Sequence, residues 1–152
     1  MKLTDFLRPE FCVVDLKANN KETAIRELTS VLSSSGKVNN QEDFIKHIME
    51  RERLGSTGIG NRVAIPHAPT QSVNGLVVAF GRSINGIDFQ SLDGDEVNLI
   101  FLLGTNPDNL GIYLKFLASL SRLLNNLQFR EEFMAADSAD SIIEVLKKHE
   151  KG

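Results

Sequence analysis

The sequence predicts an α/β fold: a three-layer α/β/α sandwich with a mixed, mostly central β-sheet flanked by helices. Helical-period segments alternate with β-type runs along the chain. One run, VNLIFLLG at 97–104, is apolar but for Asn98, continuous enough to be a central strand covered on both faces. The chain has 152 residues and 41% hydrophobic composition, enough for one core, so residues 1–152 are expected to form a single domain.

Asn19 to Glu22 reads as a capping box. It opens a helix whose apolar set Ala24, Ile25, Leu28, Val31 and Leu32 recurs at helical spacing until Gly36 stops it. A second helix is predicted from about Glu42 to Arg53, with Phe44, Ile45, Ile48 and Met49 inward, which turns Arg51 toward the following loop or solvent. Three β-type runs follow: VAIPHA, LVVAFGRS and VNLIFLLG. Between the last two, NGIDF and LDGDE read as turns around a short strand. The C-terminal third is helical, with Leu110, Leu114, Leu117, Leu120 and Leu124 on one face and a last helix carrying Ile142, Ile143 and Leu146.

Charge and composition exclude several function classes. Seventeen Lys and Arg against twenty Asp and Glu give a net charge of -3, so there is no basic surplus for counterion release, and no basic run marks a nucleic-acid or membrane face. No stretch reaches the roughly 18 apolar residues of a membrane span, and MKLTDFLRPE has no long apolar leader region. The single cysteine, Cys12, rules out an intrachain disulfide and reads as a buried thiol in FCVVDL. The chain is therefore expected to be cytoplasmic. Three widely spaced histidines and one cysteine offer no metal-ligand spacing, and no cofactor is implied.

The richest stretch is Arg51 to His67, RERLGSTGIGNRVAIPH. Gly55, Gly58 and Gly60 permit backbone angles closed to other residues, so N–H groups around Ser56, Thr57 and Gly58 can converge on one anion. Pro66 fixes its own φ and biases Ile65 toward an extended backbone, so Val63 to His67 is expected at a strand edge that holds the imidazole in place. A neutral imidazole, with a reference pKa of about 6.5, keeps one nitrogen nucleophilic while the other donates to a fixed acceptor. Phosphoryl transfer then needs positioning and charge neutralisation, which backbone N–H groups, the Ser56 and Thr57 hydroxyls and the Arg51 guanidinium can supply. The pattern points to a phosphohistidine at His67.

Other readings of these residues are weaker. GSTGIGNR partly mimics a nucleotide-binding P-loop, but Asn61 and Arg62 stand where lysine and a magnesium-binding hydroxyl belong. Ser56 with His67 lacks a nucleophile elbow and a third triad member. His47, four residues after Asp43, reads as a solvated side chain with a weak ion pair, and His149 as part of a frayed helix end.

RERLGSTGIGNRVAIPHA resembles the phosphorylation-site signature of the type 2 enzyme IIA domains of the bacterial phosphotransferase system, the fructose, mannitol and nitrogen-regulatory branch. VVAFGRSINGIDF, LDGDEVNLIFLLG and LKFLASLSRLL resemble that family's order of elements, so the likeness runs from about Val14 to Leu146. It implies that His67 is the phosphorylated histidine and that Arg51 helps hold the phosphoryl group. Arg62 departs from the family's usual glycine and adds a positive charge beside the loop. Tyr113 stands where many members have a second active-site histidine; it reads equally as a phosphate-binding hydroxyl or as an aromatic at the core's edge.

The resemblance implies a phosphoryl carrier loaded by a histidine-phosphorylated carrier protein. Its phosphoryl group would pass to a IIB domain or remain as a mark read by regulatory target proteins. The chain ends soon after its last helix, which favours the nitrogen-regulatory type over a fructose- or mannitol-type transport component. A binding module that has lost phosphotransfer is the reading of a different class, motivated by Arg62 and Tyr113.

Overall fold

The computed structural model describes residues 1–150. Its centre is β6 (Val97–Thr105), every residue of which is buried. Antiparallel to it lies β5 (Leu76–Ile87), paired from Leu76↔Thr105 to Arg82↔Leu99. On its other side β3 (Val63–Ala64) and β4 (His67–Pro69) both run parallel to it, with registers Val63↔Leu99 and His67↔Leu103. β2 (Gly58–Gly60) pairs antiparallel with β3, and β1 (Cys12–Val13) runs parallel to β5, giving the order β1-β5-β6-β3-β2 with β4 beside β6.

Alternation along the strands separates two cores. Leu99, Phe101 and Leu103 face the C-terminal helices, whereas Ile100 and Leu102 face the N-terminal pair. Helices α1 (Lys21–Leu32) and α2 (Gln41–Leu54) cover the second face. Helices α3 (Leu110–Leu124), α4 (Leu127–Ala135) and α5 (Ala139–Glu150) cover the first. This is the predicted sandwich, with helices on both faces of a mixed sheet.

Several details differ from the expectations. The cap of α1 is Asn20, whose side chain accepts the Thr23 N–H at 2.9 Å, so Glu22 closes no box with Asn19. VAIPHA is two short strands rather than one, because Pro66 has no N–H to give the ladder, although its carbonyl still accepts Leu103 N–H at 3.0 Å. NGIDF is not a turn before a short strand: β5 continues through Asn85 and Gly86 to Ile87, which pairs with Val97. On α3 the buried face is Tyr113, Phe116, Leu120 and Leu124, while Leu110 and Leu114 are exposed. Both stripes have helical spacing, and packing on the sheet selects the aromatic one. Helix α4 and strand β1 had no sequence signal strong enough to predict them.

Arg82, on β5, is buried and held by four backbone carbonyls. Its Nε donates to Val14 at 2.9 Å, and its Nη1 donates to Phe133 and Met134 at 3.0 Å each and to Ala136. The guanidinium thus caps the C-terminal end of α4, where a helix concentrates negative potential. No helix among the described residues is long and apolar enough to cross a membrane.

Candidate active site

His67 is placed from the backbone outward. Its register with Leu103 fixes the Cα, and the strand alternation that buries Ala68 against α1 and α2 turns the imidazole to the opposite face. There its ring centroid lies 6.0 Å from that of Tyr113, at 49° between planes. Nδ1 lies 2.5 Å from the carbonyl oxygen of Ile65. A carbonyl only accepts, so Nδ1 carries the proton and donates, which leaves the lone pair on Nε2. The half-buried ring therefore presents a nucleophile of fixed tautomer and orientation.

Two further groups frame it. Tyr113 comes from the first turn of α3 with its ring buried, and burial pushes the phenol up to about 12 against the opposing pull of the Arg51 charge. It is a neutral hydroxyl at pH 7. Arg51, in the last turn of α2, is half-buried and donates from Nη1 to the Gly55 carbonyl at 2.9 Å, so its guanidinium is held beside the loop. The structure thus gathers His67, Tyr113 and Arg51 at one edge of the sheet.

The glycine loop is organised from within. Glu52, buried on the inward side of α2, accepts the Thr57 N–H at 3.3 Å and the Thr57 hydroxyl, and receives the Lys21 ammonium at 3.0 Å. Ser56 donates its hydroxyl to the Phe89 carbonyl and accepts the Gly58 N–H at 3.0 Å. The donors expected to converge on an outside anion therefore have partners inside the fold. Left-handed backbone is not the common reason for the glycines either: only Gly60, at φ 88, needs it. Gly55 is extended at φ 163, and Gly58 is needed for space, because a Cβ there would lie 2.1 Å from Ser91 Oγ.

The loop nevertheless bears on His67. The Thr57 carbonyl accepts Ile65 N–H at 3.1 Å, and the Ile65 carbonyl holds His67 Nδ1. A continuous path of hydrogen bonds thus runs from the Glu52 carboxylate through Thr57 and Ile65 to the imidazole. Glu52 was missed in the sequence, although Ile45, Ile48 and Glu52 continue one helical stripe and a carboxylate on a buried stripe requires a partner.

Other expectations are corrected. Arg62 does not sit beside the site: it lies in the turn between β2 and β3, where its Nε donates to Asn98 Oδ1. Val63 pairs with Leu99 and His67 with Leu103, four residues apart on β6, or about 13 Å. His47 is more than a solvated surface group, since Nδ1 lies 2.8 Å from Thr70 Oγ1 and 3.5 Å from Asp43. His149 is not frayed: its ring packs edge-on against Phe129 and its Nε2 reaches Glu132. Cys12 is half-buried, and burial, with the nearby Glu10 charge, pushes its thiol up to about 12.

Comparison with known proteins gives consistent likenesses. Residues 5–149 match the family described as phosphoenolpyruvate-dependent sugar phosphotransferase system, EIIA 2. The fructose-specific EIIABC component of Bacillus subtilis is 37% identical over 151 residues, 99% of this chain, which spans only 24% of that protein's length. The nitrogen regulatory protein of Bradyrhizobium diazoefficiens is 35% identical over 147 residues, covering 96% of this chain and 95% of its own. Among solved structures, nitrogen regulatory protein IIA-Ntr from Neisseria meningitidis superposes with a TM-score of 0.84 at 29% identity, covering 95% of this chain and 98% of that one.

Proposed function

The chain belongs to the EIIA 2 family of the phosphoenolpyruvate-dependent sugar phosphotransferase system, and on that premise we propose that it is a phosphoryl carrier working through His67. The observation that carries the proposal is the hydrogen bond from Nδ1–H to the Ile65 carbonyl, which leaves Nε2 as the only free nucleophile of the ring.

A phosphohistidine carrier protein docks and its phosphorus comes in line with Nε2. The Nε2 lone pair forms the new N–P bond while the donor's N–P bond breaks and its electron pair returns to the donor imidazole. The same path in reverse, with an acceptor nucleophile in place of the donor, discharges His67. Charge on the equatorial oxygens is met by the Arg51 guanidinium and the neutral Tyr113 hydroxyl. Developing positive charge on the ring spreads toward Nδ1–H, which the Ile65 carbonyl stabilises. Ser56, Thr57 and Gly58 enter as the wall that frames the phosphoryl group, shaped from behind by Glu52.

We assign the carrier to the nitrogen-regulatory type, acting in the cytoplasm with residues 1–152 as one unit. The TM-score of 0.84 to IIA-Ntr and the 35% identity to the Bradyrhizobium protein support this. A sugar-transport role, passing phosphate to a IIB domain, is the second reading, favoured by the 37% identity to a fructose-specific component. Incubation with enzyme I, the histidine-phosphorylated carrier and phosphoenolpyruvate should give an acid-labile, alkali-stable product on the intact chain and none on His67→Ala. Full labelling of His67→Ala, or label on His47, would sink the proposal. Phosphate passing onward from His67 to a IIB domain would favour the transport reading.

A further inference from the structure

The turn between β2 and β3 spends two residues, Asn61 and Arg62, at φ 56 and φ 63. Two consecutive left-handed residues are what a tight two-residue hairpin demands, and Asn-Gly meets that demand with least strain. Here arginine holds the second position. A bulky residue kept at positive φ is a reason to ask what its side chain does. Its Nε donates to Asn98 Oδ1, while Asn98 Nδ2 donates to the Ser83 carbonyl at 2.8 Å, so the guanidinium is aimed by a buried, fully engaged amide.

It is aimed into a cleft that it shares with Arg130 of α4. Arg130 is oriented in turn by its bond from Nη1 to the Leu124 carbonyl at 2.7 Å. Among the described residues neither guanidinium forms an ion pair with a carboxylate. Met134 and Ala135 give the cleft an apolar wall, and Met134 is exposed there without a covering group. Glu131 stands on the same rim and offsets part of the positive charge, which favours a singly charged ligand over a dianion.

We propose that this cleft, at the opposite end of β6 from His67, binds a small organic monocarboxylate, its carboxylate between Arg62 and Arg130 and its apolar body on Met134 and Ala135. Arginine pairs planar carboxylates through two parallel N–H···O bonds, so each guanidinium contributes to orientation as well as charge.

Benzoate is the probe, followed by amide chemical shifts of the ¹⁵N-labelled chain, with acetate and benzyl alcohol as partial ligands. Benzoate should give saturable shifts around Asn61, Asn98, Leu99 and Met134, with acetate and benzyl alcohol each binding more weakly. Arg62→Gly takes φ 63 without strain, so the turn survives while the guanidinium is lost; Arg62→Gly and Arg130→Gln should each weaken binding on the order of tenfold. Glu131→Gln should tighten it, and His67→Ala should leave it unchanged. Shifts centred on His67 and Tyr113, binding indifferent to Arg62 and Arg130, or acetate matching benzoate would overturn the assignment.

Discussion

Arg51 and Glu52 are neighbours in sequence, yet they face two regions built on opposite rules. On the inner side of the glycine loop, Glu52 meets the Lys21 ammonium, the Thr57 N–H and the Thr57 hydroxyl. On the outer side, Arg51 makes one neutral hydrogen bond, to the Gly55 carbonyl, near a phenol and an imidazole whose Nε2 is free. The inner region pairs its charge and both Thr57 donors, and the outer one holds donors in reserve. The loop is therefore scaffold on one side and reactive edge on the other, and a rigid scaffold keeps the edge in register.

Breaking the inner side should have the largest effect on stability. Glu52→Ala leaves Thr57 without its partner and Lys21 with only the neutral Gln90 side chain in place of a carboxylate, and is expected to cost about 3 kcal/mol, read as a lowered urea midpoint. Because Thr57 leads through Ile65 to His67, phosphotransfer should fall in the same variant even at temperatures where it remains folded. A Glu52→Ala protein with parent stability and parent rate would remove the scaffold side of the comparison.

Arg51→Lys tests the outer side with the opposite signature. Transfer should slow about a hundredfold, roughly 3 kcal/mol in the barrier, because lysine cannot reproduce a bidentate contact with the phosphoryl oxygens. Thermal stability should stay within about 0.5 kcal/mol, as for other surface changes. A variant that unfolds, or one that transfers at the parent rate, would contradict the role.

How much of this was legible follows the range of the interactions. His67 after Pro66, the two N-terminal helices and the apolar β6 declare themselves within a few residues of sequence. Glu52 does not, because its partner Lys21 lies 31 positions away and a glutamate in a helix ordinarily means solvent. The α3 face was misread for a related reason: Leu110 and Leu114 fit the helical period as well as Tyr113 and Phe116, and only the sheet decides between them. The same limit hid the Glu132 contact of His149, 17 residues away, and the continuation of β5 to Ile87, which rests on pairing with Val97.

Smaller effects should come from Tyr113. Tyr113→Phe removes one neutral hydroxyl donor, worth about 1 kcal/mol in the transition state, or roughly fivefold in rate. Tyr113→His, able to carry a proton, should match or exceed the parent rate. A silent Tyr113→Phe together with a destabilised Tyr113→His would make Tyr113 a core residue alone.

The effect confined to the narrowest conditions is an alkaline one, and the chain is suited to reading it because it has one tyrosine and no tryptophan. Burial raises the phenol from 10.0 to about 12, so the folded state holds the proton more tightly than the unfolded chain. That stabilisation is complete below pH 10 and is lost as pH rises through about 12. Ultraviolet absorbance should show the tyrosinate forming well above pH 10; ionisation near 10 in the folded protein would mean that the ring is not packed as described.

The position of phosphorus on the imidazole tests the central claim most directly. Long-range ¹H–¹⁵N correlation spectra of the phosphorylated, ¹⁵N-histidine-labelled chain distinguish the two ring nitrogens. The Ile65 carbonyl on Nδ1–H predicts a single phosphorylated histidine, His67, modified at Nε2 with Nδ1 still protonated. Phosphorus on Nδ1, or on either of the other two histidines, would contradict the account.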